Sequence, residues 1–351
     1  MLLAAAMLTA GVANAQAPTN QLSHTPAAPI TPPAQLGPNN PTIGANGTTI
    51  NPGVGYSQSR TDYVQDSYVE QTGGIRNYAN VTQVDGRSTP GGTGANAAGS
   101  SASIVQTGGN NNDAFQSQTL TNTSTGGPTA SGNTPRNEVG TVQRGSFDLS
   151  RQTQSGGTSN TARVLQGINT NNSQAIQSQT DGTNNSARIE QSQFQSDPSQ
   201  NNSATQTQTR GTNNAAQIGQ QGQSDMAMQT QTDGTGNGAL IGQGSMGRNN
   251  TAIQNQNGGT GNAARIVQSV NVPQAAFDNN FARQTQINGT SNSADINQRT
   301  ARSYAEQIQM GGDNNSSLIR QGAEGSASIV PSAAYTTQMN GSMNTATVNQ
   351  R

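Results

Sequence analysis

The sequence contains no cysteine, no tryptophan and no lysine, and its one histidine is His24. Without cysteine there is no disulfide framework and no thiolate metal site. A single histidine leaves no candidate for a Ser-His-Asp constellation or a His-based metal site. Hydrophobic residues make up 29% of 351 residues and aromatic residues 3%, too little to fill the cores that a chain of this length would ordinarily hold. The net charge is −1, and with no lysine there is no basis for electrostatic binding of nucleic acid. Two classes survive: a disordered Asn/Gln-rich chain, or a fold whose interior is built from stacked amides and small side chains.

What is present decides between them. The stretch QTQTDGTGNGALIGQ, Gln229 to Gln243, recurs in near copies that share the template Q-x-Q-x-x-G-x-x-N-x-A-x-[IV]-x-Q. Copies run over Gln152 to Gln166, Gln177 to Gln191, Gln206 to Gln220, Gln254 to Gln268, Gln284 to Gln298 and Gln307 to Gln321. A last copy, Thr336 to Gln350, has Thr in place of the first Gln. A fixed internal period means a solenoid or array, and disorder requires no such phase.

Within each copy the shared residues sit two apart, the spacing of side chains on one face of a strand. The template therefore predicts two strands, N-x-A-x-Q-x-Q and N-x-A-x-[IV]-x-Q, joined by a five-residue arc. Glycine at the arc fits a reversal that needs φ > 0. The expected fold is all-β: a β-solenoid of about eleven stacked strand-arc-strand rungs.

The inward columns follow from the template. Before the arc stand Gln154, Gln179, Gln208, Gln231, Gln256, Gln286, Gln309 and Gln338. The arc glycines are Gly157, Gly182, Gly211, Gly234, Gly259, Gly289, Gly312 and Gly341. After the arc come Asn160, Asn185, Asn214, Asn237, Asn262, Asn292, Asn315 and Asn344, then Ala162, Ala187, Ala216, Ala239, Ala264, Ala294 and Ala346. An apolar column follows at Val164, Ile189, Ile218, Ile241, Ile266, Ile296, Ile319 and Val348. Each copy closes on Gln166, Gln191, Gln220, Gln243, Gln268, Gln298, Gln321 or Gln350. Outward positions read as polar and mixed, for example Arg163, Arg188, Arg265 and Asp295.

In chain order, residues 1–15 are apolar and end in Ala13-Asn14-Ala15, which reads as a secretory signal peptide, although the basic leader residues are missing. Residues 16–60 are rich in Pro, Asn, Thr and Gly and are expected to form an extended tail. Residues 61–147 carry weaker copies, at Gln71 to Gln83 and from Gln106 onward, separated by insertions. Asn137 to Gln143 there looks like one strand without a mate. Residues 148–351 are regular, and the rungs group in threes: Gln154 to Gln231 spans 77 positions and Gln231 to Gln309 spans 78. Long connections at Ser192 to Asn201, Ser269 to Asn279 and Gly322 to Pro331 are expected every third rung.

With rungs about 4.8 Å apart, an inward amide is expected to donate to its equivalent in one neighbouring rung and accept from the other. An amide left unpaired in a dry interior costs about 1 to 3 kcal/mol, so each rung needs a neighbour on both sides. The sequence reaches Gln350-Arg351 directly after a strand, so an open ladder is expected there, able to template a second copy.

The strand pattern N-x-A-x-[IV]-x-Q, paired through a glycine arc with a second Gln-bearing strand, resembles the curlin repeat of bacterial curli fibres, the functional amyloids of biofilm matrix. The resemblance covers roughly Gln65 to Gln350; the arc here is Q-x-x-G-x-x-N, one residue longer than the usual curlin spacing. It implies a secreted, cell-surface fibre subunit or nucleator. Its implied partners are other copies of itself, other curlin-like subunits, an outer-membrane secretion pore and periplasmic holding factors. No cofactor, metal or enzymatic activity is expected. The alternative is a monomeric surface solenoid that binds through its outer face, of adhesin or ice-binding type. It would use the threonines at 153, 207, 230 and 285, a column interrupted by Ser178, Asn255 and Ile308.

Overall fold

The computed structural model describes residues 65–350 apart from 73, 86–98, 121–135, 158–159, 168–169, 193–199, 245–247, 269–278, 300 and 323–331. The expected signal peptide and tail, His24, and most of the insertions and long connections lie outside the described residues.

The strands are β1 (Gln65–Thr72), β2 (Tyr78–Asp85), β3 (Gly99–Thr107), β4 (Asp113–Leu120), β5 (Arg136–Gln143), β6 (Leu149–Ser155) and β7 (Thr161–Gln166). There follow β8 (Gln174–Thr180), β9 (Ser186–Gln191), β10 (Ser203–Thr209), β11 (Ala215–Gln220), β12 (Met226–Thr232), β13 (Gly238–Gln243) and β14 (Thr251–Asn257). The last are β15 (Ala263–Gln268), β16 (Phe281–Ile287), β17 (Ser293–Gln298), β18 (Tyr304–Met310), β19 (Ser316–Gln321), β20 (Ala333–Met339) and β21 (Thr345–Gln350). Odd-numbered strands form one eleven-stranded sheet and even-numbered strands a ten-stranded one, in strict sequence order. Successive strands in each sheet pair in parallel, with template residues opposite one another: Ala204 faces Ala227 and Gln206 faces Gln229. The fold is a β-solenoid of the expected size.

Period-two patterning dictates which side chains enter. In β10 the buried residues are Ala204, Gln206 and Gln208, and in β11 they are Ala216, Ile218 and Gln220. Between the sheets, the Val/Ile column of the odd sheet packs on the alanine column of the even one. Val164, Ile189, Ile218 and Ile241 form one cluster with Ala175, Ala204, Ala227 and Ala252. Alanine there keeps the sheets close enough for the isoleucines to fill the gap without voids.

The arcs are built from left-handed residues. Asp181, Gly182 and Asn184 have φ of 55°, 81° and 54°, and Arg210, Gly211 and Asn213 repeat this at 56°, 82° and 55°. Seven of the expected arc glycines, from Gly157 to Gly312, have positive φ. Gly341 does not, but a Cβ there would meet Nδ2 of Asn344 at 2.2 Å.

One expectation is corrected by half a rung. The early copies at Gln71 and Gln106 read as the same strand-arc-strand unit as the later ones, with Gln116 in the isoleucine position. In the structure their arcs run from the odd sheet to the even sheet and stack at the opposite edge. A Cβ on Gly74 would meet the Gly109 carbonyl oxygen, and one on Gly109 would meet that of Gly145. Gln116 is therefore in a glutamine column, opposite Gln152. The strand without a mate, β5, is joined to β6 through this same edge. The two strands of a rung have near-identical inward faces, so the linear sequence alone does not distinguish one edge from the other.

Candidate functional site

Three glutamine columns run along the stacking axis, because in-register parallel pairing places every inward Gln directly over the next. In the even sheet, Gln154, Gln179, Gln208, Gln231, Gln256, Gln286, Gln309 and Gln338 each donate from Nε2 to Oε1 of the following member, at 2.6 to 2.8 Å. The odd-sheet column does the same from Gln143 through Gln166, Gln191, Gln220, Gln243, Gln268, Gln298 and Gln321 to Gln350, at 2.8 to 3.0 Å. A third column, Gln116, Gln152, Gln177, Gln206, Gln229, Gln254, Gln284 and Gln307, is built alike. In the first two columns the amide nitrogen also donates within the rung: Nε2 of Gln231 to the Asn237 carbonyl at 3.2 Å, and Nε2 of Gln243 to the Asn250 carbonyl at 3.0 Å. That bond fixes which end of the amide is nitrogen, so these two ladders point the same way.

The asparagines from Asn160 to Asn315 are buried as expected and Asn344 is exposed, but they do not form an amide-to-amide ladder. Oδ1 of Asn160 accepts the backbone N–H of Asn185, and Oδ1 of Asn185 that of Asn214, with the same link through Asn237, Asn262, Asn292, Asn315 and Asn344. Their Nδ2 atoms donate to arc carbonyls of the next rung, Asn185 to Arg210 and Asn214 to Asp233. The shorter side chain reaches only the backbone, so asparagine ties each arc to the next and glutamine ties strand to strand.

The even sheet has a second column of this kind, in which the Asn positions include Asn112, Asp148, Ser173, Asn202, Asp225, Asn250 and Asn280. Oδ1 of Asp148 accepts the Ser173 N–H at 3.0 Å, and Oδ1 of Asp225 that of Asn250 at 2.9 Å. Where asparagine would donate to a carbonyl, Oδ2 of Asp148 instead accepts the Thr170 hydroxyl. Burial pushes the Asp148 carboxyl up to about 7 against those stabilising hydrogen bonds. Asp148 and Asp225 thus take asparagine positions in this column.

Two rungs depart from the template by paired polar substitution. Ser317 replaces the odd-sheet alanine where Thr336 replaces the third-column glutamine, and Gln307 Nε2 donates to the Ser317 hydroxyl. Thr141 and Ser150 replace the isoleucine and alanine of an earlier rung, with their hydroxyls 3.1 Å apart. The third column thus has bounded ends: Gln116 pairs with Val81 on one side and its Oε1 has no partner, and Gln307 pairs with Thr336 on the other.

In the last described rung the site residues are only half-buried. Ala346, Val348 and Gln350 are intermediate in exposure, whereas Ala294, Ile319 and Gln321 are at 2%, 0% and 0%. The other strand residues of the columns from Gln154 to Gln321 are buried, and the arc glycines from Gly157 to Gly312 are intermediate. Arc charges also alternate along one edge, where Arg210 makes a bidentate pair with Asp233 at 2.6 and 3.1 Å.

The outer faces are not uniformly polar. The even sheet carries Ser/Thr pairs over β4 to β12, but its β16 to β20 face shows Phe281, Ile287, Tyr304, Ile308, Met310 and Tyr335, the last 63% exposed. A shallow trough of about 320 Å³ lies on the odd face, where Gly219 and Gly242 leave the backbone bare beside Glu190 and Leu240. Among the described residues no three His, Cys, Asp or Glu gather as a metal site would require, and no helix is long and apolar enough to cross a membrane. No protein-family model and no curated protein matches the chain.

Proposed function

We propose that this chain is a structural subunit or nucleator of an extracellular curli-like fibre that grows by stacking copies end to end. The observation that carries the reading is the glutamine ladder. Each interior amide draws its side-chain partners from the rungs on either side of it, and the geometry of one rung is that of the next. A rung from a second copy therefore meets the same hydrogen-bonding requirement as a rung of the same chain. Export through an outer-membrane pore, with periplasmic factors holding the chain unfolded, belongs to the same proposal.

The test is incubation of the purified chain at micromolar concentration, followed by electron microscopy and fibre diffraction. Filaments with a cross-β reflection near about 4.7 Å are expected. A chain that stays monomeric for days, with no such reflection, refutes the reading.

A second reading, a monomeric surface module of ice-binding or adhesin type, draws support from one observation. On β4, β6, β8, β10 and β12 the outward pairs Ser117/Thr119, Thr153/Ser155, Ser178/Thr180, Thr207/Thr209 and Thr230/Thr232 stand in register as a two-column hydroxyl grid. Thermal hysteresis from a solution proven monomeric would favour it over the fibre.

A further inference from the structure

The outer face of the even sheet changes character along the axis, from the hydroxyl grid to an apolar and aromatic patch on β16 and β18. Phe281 and Tyr304 stack within the chain, centroids 5.0 Å apart. Arg283 and Glu306 form an ion pair at 3.5 Å, and Ile287 lies in register with Met310. These side chains point away from the solenoid interior, and Met310 is 36% exposed. In three of the four outward columns the β16 and β18 residues match, aromatic with aromatic, cation with anion and aliphatic with aliphatic; in the fourth, Thr285 stands beside Ile308.

That likeness makes the patch self-complementary. Consider a two-fold axis parallel to the strands, midway in height between β16 and β18 and midway between two facing sheets. The rotation sets β16 of one copy over β18 of the other without changing position along the strand. Phe281 then meets Tyr304, Arg283 meets Glu306, and Ile287 meets Met310, each in both directions, as an isologous contact requires. Resting on the fibre reading above, we propose that filaments of this chain pair side by side through this face, with opposite polarity. The occupant of the patch is a second copy of the same chain.

Area explains why the pairing belongs to filaments. Two rungs of about 4.8 Å and seven residues of about 3.3 Å give a patch of roughly 200 Å² per copy. A stable complex buries about 800 Å² per partner, so two isolated copies do not hold together. A filament repeats the patch once per copy, and antiparallel neighbours repeat it at the same interval, so many weak contacts close together. The paired Arg283 and Glu306 enter the contact with charges already balanced, which limits the desolvation cost.

The test is electron microscopy of filaments from the wild-type chain and from two variants. Ile308→Lys places a charge in the centre of the proposed contact. Leu318→Lys places one on the outer face of the odd sheet, at a matched height. Wild-type and Leu318→Lys filaments are expected to be two solenoids wide with opposed directions. Ile308→Lys filaments are expected to be single, with the paired fraction reduced at least tenfold and growth rate unchanged. Single wild-type filaments, or Ile308→Lys filaments that remain paired, overturn the lateral contact and leave end-to-end growth standing. No filaments from any chain would overturn the fibre reading and this inference together.

Discussion

The Ser317 hydroxyl lies 2.8 Å from the Thr336 hydroxyl, bridging the two sheets at a rung where a ladder glutamine has been replaced. Neither residue fits the template alone. Threonine is too short to accept from Gln307, and serine would bury an idle hydroxyl opposite a glutamine. Together they give the Gln307 amide a partner and each other a hydrogen bond. Thr141 and Ser150 form a similar pair near the other end of the same column, with Thr141 donating to Oε1 of Gln152.

Ser317→Ala should therefore cost about 1 to 3 kcal/mol, because it leaves two buried polar groups short of a partner. Ser317→Ala combined with Thr336→Gln restores the template and should recover most of that loss. Urea unfolding of the four chains of this double-mutant cycle measures the coupling; additive effects would show that the two hydroxyls act independently.

Gln231→Leu removes one member from the middle of a ladder. The Nε2 of Gln208 loses its acceptor and the Oε1 of Gln256 its donor, both in buried positions. Each unsatisfied group costs about 1 to 3 kcal/mol, so the variant should unfold at markedly lower denaturant and assemble with a longer lag. Thr230→Val, one residue away but on the outer face, should change either measurement by at most a few tenths of a kcal/mol. Equal effects from the two would contradict the assignment of the ladder.

How far the sequence reaches can be judged from the same residues. Period two identified Gln208, Ala216, Ile218 and Gln220 as inward, because a strand leaves no choice once one of them is buried. The amide partner of Gln208 was also legible, since stacking puts equivalent residues over one another. The asparagine links were not, because whether Asn185 reaches a neighbouring amide or a backbone N–H depends on the rise between rungs and on one missing methylene. The edge taken by the Gly74 and Gly109 arcs was hidden by the likeness of the two strand types. Asp148 was hidden by chemistry: an acid standing where asparagine is the rule looks like a conservative replacement, and its burial appears only when Thr170 and Ser173 close over it.

Asp148 gives the fold a pH dependence with a defined sign. Its carboxyl titrates near 3.8 in the unfolded chain and is pushed up to about 7 by burial in the folded one. The folded state thus holds the proton over that interval while the unfolded state has lost it. The Asp148 contribution to stability is greatest below about pH 4, falls as pH rises toward 7 and levels off above it. The loss attributable to this group is of the order of a few kcal/mol. Asp148→Asn, which restores the template residue, should flatten the dependence and raise stability at pH 8. Unfolding curves of both chains at pH 5 and pH 8 check this; a variant with the same pH slope as the parent would assign the slope elsewhere.

Glycines at two kinds of position should respond to substitution with opposite signs. Gly211 sits in an arc at φ 82°, and a Cβ there would come within 2.3 Å of Asn214 Nδ2 and 2.7 Å of the Gly234 carbonyl. Gly211→Ala must take a left-handed backbone, costing about 1 to 2 kcal/mol, and must also displace the amide that ties one arc to the next. The combined loss should exceed about 2 kcal/mol and delay assembly. Gly219 lies in the middle of β11, on the outer face of the odd sheet, with nothing within 4 Å of its missing Cβ and no left-handed φ. Glycine in a strand interior forfeits packing and costs unfolded-state entropy, so Gly219→Thr should stabilise by about 0.5 to 1 kcal/mol. The pair separates two roles that composition alone merges, since both residues contribute equally to the glycine content. Thermal unfolding of the two variants decides the matter: if Gly219→Thr destabilises as Gly211→Ala does, the open space beside Gly219 is not what sets its response to substitution.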